Sequence, residues 1–152
     1  MVCLGNICRS PLAEGILQHQ AEKAGLDWQV DSAGTNRYHT GEPPHHLSQK
    51  VARLNGIDIC HQRARQFVPE DLKSYDRIYA MAEDVVADMK KIARGEYEEG
   101  KVELFLNELY PGQNKSVPDP WYGSEEGYHT VYALIEKTCA AIIQKYKEAP
   151  GA

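Results

Sequence analysis

Cys3 and Arg9 frame the stretch of this 152-residue chain best suited to chemistry, Val2-Cys3-Leu4-Gly5-Asn6-Ile7-Cys8-Arg9-Ser10-Pro11. A loop that runs straight into a helix start aims successive backbone N–H groups into one hollow, and the helix dipole adds roughly half a positive charge there. Such a hollow seats a phosphate or a similar oxyanion. Gly5 and Asn6 are residue types that tolerate the positive φ an anion-wrapping loop demands. Arg9 can grip two phosphate oxygens with its planar fork, which Lys does less well. Cys3 lies at the base of the same cradle, where the surroundings that draw phosphate also favour a thiolate, the nucleophilic form of the side chain. A thiolate beneath a bound phosphate is placed for in-line attack at phosphorus. Cys-x5-Arg alone is a weak signal, since a buried structural Cys and a surface Arg beside a capped helix would give the same letters. Its place on a strand-to-helix turn, with Gly-Asn inside and Ser-Pro after, makes it a stronger one.

The elements that must hold this loop follow from hydrophobic period. Ser10 is the expected N-cap of a first helix, with Pro11 in the first turn where its missing N–H costs nothing. Leu12, Ala13, Ile16, Leu17, Ala21 and Ala24 form its apolar stripe, and Gly25 ends it. Trp28–Ser32 reads as a strand and Gly34–Pro44 as a loop. Leu47–Asn55 reads as a helix closed by Gly56, Arg77–Met81 as a strand, Glu83–Arg94 as a helix capped by Gly95, and Val102–Phe105 as a further strand. Lys115–Gly123, with Pro118 and Pro120, is loop. Val131, Leu134, Ile135, Thr138, Cys139, Ile142 and Tyr146 fit a final amphipathic helix. Strands alternating with helices imply βαβ units, hence a parallel sheet covered on both faces that binds ligands at the carboxyl ends of its strands. The first strand-to-helix junction, where Cys3 sits, is such a place.

Composition narrows the function further. Twenty-two acids against 17 bases give a net charge of −5, which argues against a dedicated nucleic-acid binder, since that would need a basic face to replace counterions. No apolar run reaches the ~18 residues of a membrane helix and no basic-then-apolar leader opens the chain, so a cytoplasmic protein with no membrane partner is expected. The four cysteines form no C-x-x-C pair and no Cys/His zinc spacing, so neither a metal nor another cofactor is expected. His45–His46 and Cys60–His61 read as solvated loop residues. Nothing suggests a linker or repeat, so residues 1–152 read as a single domain, and a monomer is expected.

Cys3-Leu-Gly-Asn-Ile-Cys-Arg-Ser-Pro11, followed by Ala13-Glu14, resembles the phosphate loop of the low molecular weight protein tyrosine phosphatases. Val30-Asp31-Ser32-Ala33-Gly34-Thr35 is similar to that family's second-strand motif, and Asp119-Pro120-Trp121-Tyr122-Gly123 to its Asp-Pro-aromatic-aromatic loop. The likeness covers nearly the whole chain. It implies a three-layer α/β/α fold with a four-stranded parallel twisted sheet and the phosphate loop at the end of the first strand. By the same resemblance Cys3 is the nucleophile, forming a phosphocysteine, and Leu4, Gly5, Asn6, Ile7, Cys8 and Arg9 bind the phosphate. Arg9 also stabilises the transition state, and Asp119 is the general acid and then base. Ser10 donates to the sulfur, Asn6 and Ser32 hold the loop, and Tyr38, Trp121 and Tyr122 wall the pocket. Ile7 resembles the tyrosine-directed members rather than the phosphoarginine-directed ones, which carry Thr there. Cys8 matches a second cysteine that can trap an oxidised nucleophile as a disulfide, the low-energy escape from a sulfenic acid. The substrate implied is a phosphotyrosine protein or a small aryl phosphate, with inorganic phosphate and like oxyanions as inhibitors.

The chain departs from the family pattern in three places. Only Met1 and Val2 precede Cys3, where members have five or more apolar residues, so a shortened first strand is expected and the numbering is expected to begin inside the natural protein. Ala82 stands where many members carry an Asp. Gln62 stands three residues before Arg65, where some place a His. Two rivals remain open: an arsenate reductase on the same scaffold, which would need a resolving cysteine pair that Arg77–Gly100 lacks, and a phosphotyrosine-binding module without turnover, which would leave Cys3 and Asp119 idle.

Overall fold

Successive strand residues point to opposite faces of the sheet, which is what sorts the molecule into layers. In a computed structural model that describes residues 1–148, apart from the side chains of Tyr122 and Glu148, Val2, Ile78 and Ala80 pack into one core. Their neighbours Cys3, Tyr79 and Met81 pack into another, on the opposite face of the sheet. The strands are β1 (Val2–Cys3), β2 (Ala33–Gly34), β3 (Ile78–Ala80) and β4 (Val102–Leu104), all parallel in the order β2-β1-β3-β4. Helices α1 (Arg9–Lys23), α2 (His46–Leu54) and α5 (Glu125–Glu148) cover the face that carries Cys3, where Leu12, Ile16, Val51, Tyr128, Ile135 and Ile142 are fully buried. Helices α3 (Asp71–Ser74) and α4 (Glu83–Ala93) cover the other, through Leu72, Val85 and Met89. Burying a side chain of the Leu12 or Ile16 kind contributes about 1.5–3 kcal/mol. The result is the three-layer α/β/α arrangement expected.

The chain leaves β1 toward β2 on one side and later crosses back to β3 on the other, so strand order reverses at β1. The crevice at the carboxyl end of β1 is therefore the place where the fold leaves room for a ligand. No helix among the described residues is long and apolar enough to cross a membrane.

Several local expectations need correction. Trp28–Ser32 is not a strand; the assigned strand is Ala33–Gly34. The pairing with β1 begins at the register Val2↔Ala33, and just upstream of it the Met1 carbonyl accepts from Ala33 N–H at 3.0 Å. The Met1 amino group is itself drawn in, donating to Asp31 O at 3.0 Å, and burial pulls its pKa below the ordinary value. Ser10 is not the N-cap of α1. The helix begins two residues earlier than expected, at Arg9, with Cys8 in the cap position and no side-chain cap, while the Ser10 hydroxyl is engaged in the loop described below. Gly95 does not carry the turn after α4; Arg94 does, at φ 50°. Phe105 belongs to a 3-10 turn rather than to β4, and Pro120–Tyr122 form another inside the expected loop. Gly25 and Gly56 do take positive φ, 75° and 80°, and end α1 and α2 as expected.

Candidate active site

Asn6 organises the loop between β1 and α1. It alone of the Gly5–Asn6 pair takes the positive φ, 57°, and its side chain is 2% exposed. Its Oδ1 accepts from the backbone N–H of Arg65 at 3.0 Å, which can only be a donor, so the amide orientation is settled and Nδ2 faces the other way. Nδ2 donates to Ser10 Oγ at 2.7 Å and to Ser32 Oγ at 2.9 Å. Each hydroxyl, having accepted from Asn6, keeps its own proton for another partner. Ser32 gives its proton to Glu14 Oε1 at 2.6 Å, and Ser10 is left to give its proton to Cys3 Sγ at 2.9 Å. Burial raises the Glu14 pKa, against the opposing pull of that Ser32 bond.

Cys3 is 2% exposed, and its sulfur also receives the backbone N–H of Asn6 at 3.2 Å. Two donors thus converge on one sulfur. The loop is packed from below by β2: Thr35 N–H donates to Cys3 O and Asn36 N–H to Leu4 O, both at 3.0 Å. Gly34 permits that approach, since a Cβ there would lie 2.9 Å from Leu4 O and 3.1 Å from Asn6 N.

Arg9, the first residue of α1, is buried. Its Nη1 donates to Val117 O at 3.0 Å, and its Nη2 lies 3.7 Å from Asp119 Oδ2. Among the described residues those two partners leave donors of the five-donor fork for an oxyanion. Val117 is fixed in turn by its N–H to Met81 O at 2.8 Å, just past β3. Asp119 accepts from Trp121 N–H at 3.0 Å through Oδ1 and so caps its own short turn, with its side chain 34% exposed. Asp119, distant in sequence, is thus brought to Arg9 at the end of the loop that Cys3 opens.

Ile7 and Cys8 are buried in the loop, and Leu4 lies at its rim. Cys8 Sγ lies 3.6 Å from Tyr128 Oη, and burial pushes its pKa up to about 12 despite that hydrogen bond. Trp121 is 42% exposed and Tyr38 86% exposed. The Tyr122 side chain lies outside the described residues. The rings that meet Trp121 are those of His39, at 5.5 Å between centroids, and His45, at 5.3 Å. Both escaped the sequence reading. The solvated-loop reading of His45–His46 needs correction, because His45 is half-buried at the start of α2. Cys60 and His61 are exposed. A separate hollow of about 1060 Å³ opens at the other end of the sheet, among Met1, Trp28, Tyr75 and Tyr146.

The sequence profile described as low molecular weight phosphotyrosine protein phosphatase matches residues 1–150. The chain belongs to that family. The low molecular weight phosphotyrosine protein phosphatase of Gallus gallus is 36% identical over 95% of this chain and 92% of its own. A protein tyrosine phosphatase from Entamoeba histolytica, solved with Hepes in the active site, superposes with a TM-score of 0.88 at 33% identity, covering 97% of this chain and 95% of that one. Wzb from Vibrio vulnificus, solved with benzylphosphonate, gives 0.85 at 30% identity over 95% of each chain.

Against the family pattern, Ala82 is buried at the start of α4 and adds no polar group. Gln62 turns to α1, donating to Pro11 O at 3.1 Å, while its Oε1 is buried with no partner among the described residues. The phosphatase loop is held without either, by Asn6, Ser10, Ser32 and the Arg65 amide.

Proposed function

We propose that this chain is a protein tyrosine phosphatase, one domain over residues 1–152, that hydrolyses phosphotyrosine and aryl phosphate monoesters through a phosphocysteine. The observation that carries the reading is the Cys3 sulfur, held by Asn6 N–H and Ser10 Oγ–H at the foot of a loop that closes on Arg9. In the first step Cys3 Sγ attacks phosphorus and the bond to the phenolic oxygen breaks. Asp119 protonates that oxygen, so the alcohol need not leave as an anion. The loop amides of Leu4 to Arg9 and the Arg9 fork stabilise the charge spread over the equatorial oxygens. In the second step Asp119 takes a proton from water, the oxygen attacks phosphorus and the P–S bond breaks, releasing inorganic phosphate and the thiolate. Ser10 stabilises that leaving sulfur, and Asn6 and Ser32 hold the loop in shape.

Trp121 and Tyr122, with Tyr38 free to fold over a bound ring, favour a flat aryl group over a short alkyl one. The substrate is a phosphotyrosine protein or a small aryl phosphate, no metal or cofactor takes part, and the enzyme acts as a monomer. Four free thiols, Cys3, Cys8, Cys60 and Cys139, suit a reducing compartment such as the cytoplasm. The test is hydrolysis of para-nitrophenyl phosphate. Cys3→Ser should lose nearly all activity, and Asp119→Ala should lose most with a phenol of high pKa and less with an activated one. Phosphate and vanadate should compete with substrate, and EDTA should change nothing. Wild-type turnover by Cys3→Ser refutes the reading; arsenate-dependent thiol oxidation outrunning hydrolysis would replace it with the reductase.

A further inference from the structure

His45 is placed for more than capping a helix. Its backbone N–H donates to Ile7 O at 2.8 Å, tying it to the phosphate loop. Its Nδ1 accepts from Leu47 N–H at 3.1 Å at the start of α2. That bond fixes the ring orientation and requires the neutral tautomer with its proton on Nε2. The ring stacks on Tyr128, with centroids 5.1 Å apart and planes 18° from parallel, and on His46, at 4.4 Å and 27°. It meets Trp121 edge-on at 5.3 Å and 76°. Tyr128 is buried in α5, so one end of this aromatic row is anchored in the core and the other bears on the half-open Trp121. Trp121 N–H, in turn, is bonded to Asp119 Oδ1, so ring and carboxyl share one short turn.

A cap alone would not call for an imidazole. Ser, Asp or Asn supplies the acceptor more effectively, and none of them would span the distance from Tyr128 to Trp121. The other ring on Trp121, His39, is tilted at 55° and engaged with Glu42 at 2.6 Å.

We propose that His45 is a positioning residue that sets the Trp121 wall and, through it, the preference of the site for aryl over alkyl phosphates. The proposal rests on the phosphatase reading above. It separates the two jobs of the side chain: His45→Asn keeps the cap and removes the ring, whereas His45→Phe keeps a ring and removes the cap. The probes are benzylphosphonate and methylphosphonate as competitive inhibitors of para-nitrophenyl phosphate hydrolysis. The wild type should bind the benzyl compound more tightly. In His45→Asn that advantage should shrink about three- to tenfold, the scale of an edge-to-face aromatic contact, while methylphosphonate binding stays within about twofold. His45→Phe should retain the advantage even if its melting temperature drops. Trp121→Ala should show the same loss, and adding His45→Asn to it should cost nothing further. An unchanged ratio in His45→Asn, or equal weakening of both phosphonates, overturns the proposal alone. A wild type that binds neither compound overturns it together with the phosphatase reading.

Discussion

Replacing Ser10 by Ala removes one oxygen from the buried network under the sulfur, and the structure sets what that costs. The hydroxyl is fully buried, accepts from Asn6 Nδ2 at 2.7 Å and directs its proton to Cys3 Sγ at 2.9 Å. Two separate effects follow. One hydrogen of the Asn6 amide loses its acceptor in a dry environment, which destabilises the fold by about 1–3 kcal/mol. In a chain of this length that is a fall in Tm of roughly 2–10 °C. The sulfur loses a donor that matters most when it carries charge, as it does when the P–S bond breaks. A hydrogen bond to a charged group is worth about 1.5–3 kcal/mol, hence roughly a 10- to 150-fold slower release of phosphate. The loss falls on breakdown of the phosphoenzyme rather than on its formation, where the substrate's own leaving group departs. Stopped-flow hydrolysis of para-nitrophenyl phosphate by Ser10→Ala should therefore show a burst of nitrophenol followed by a slow steady rate. A folded Ser10→Ala protein with the wild-type steady rate would refute the direction assigned to that proton.

Three further outcomes are expected. Gly34→Ala should weaken phosphate inhibition and lower Tm, because a Cβ 2.9 Å from Leu4 O must push the loop outward, an overpacking cost of about 1–3 kcal/mol; wild-type phosphate affinity would show that the loop gives way freely. If Cys8 resolves an oxidised Cys3, it must attack as a thiolate, and burial holds its pKa at about 12, so disulfide formation after peroxide treatment should quicken about tenfold per pH unit between about pH 7 and 9. Tyr128→Phe removes a hydrogen bond that favours that thiolate and should slow the reaction further; a rate flat with pH, read by mass spectrometry of the quenched protein, would count against Cys8 as the resolving group.

What the sequence made legible was local. The apolar runs around Ile78–Ala80 and Val102–Leu104, the stripe of α1, and the Cys-loop-Arg turn all declare themselves within a few residues. What it hid depends on partners far along the chain. Trp28–Ser32 has the letters of a strand, but pairing with β1 begins only at Ala33. Ser10 has the letters of a cap, but its hydroxyl is claimed by Asn6 and Cys3 once the loop folds back. His39 and His45 carried no local signal, because their common contact with Trp121 is made only when the segments before α2 and α5 converge. Read as a solvated loop, the Pro-Pro-His-His run before α2 pointed to no aromatic wall.

The account depends above all on a covalent bond between phosphorus and one sulfur. Rapid acid-free quenching of Asp119→Ala during turnover of para-nitrophenyl phosphate, followed by fragmentation of the peptide running from Met1 to Arg9, reads that bond directly and separates Cys3 from Cys8. A single phosphoryl group on Cys3, absent from Cys3→Ser, is the predicted result. Turnover that leaves Cys3 unmodified while substrate is consumed, or a phosphoryl group on any other residue, would contradict it.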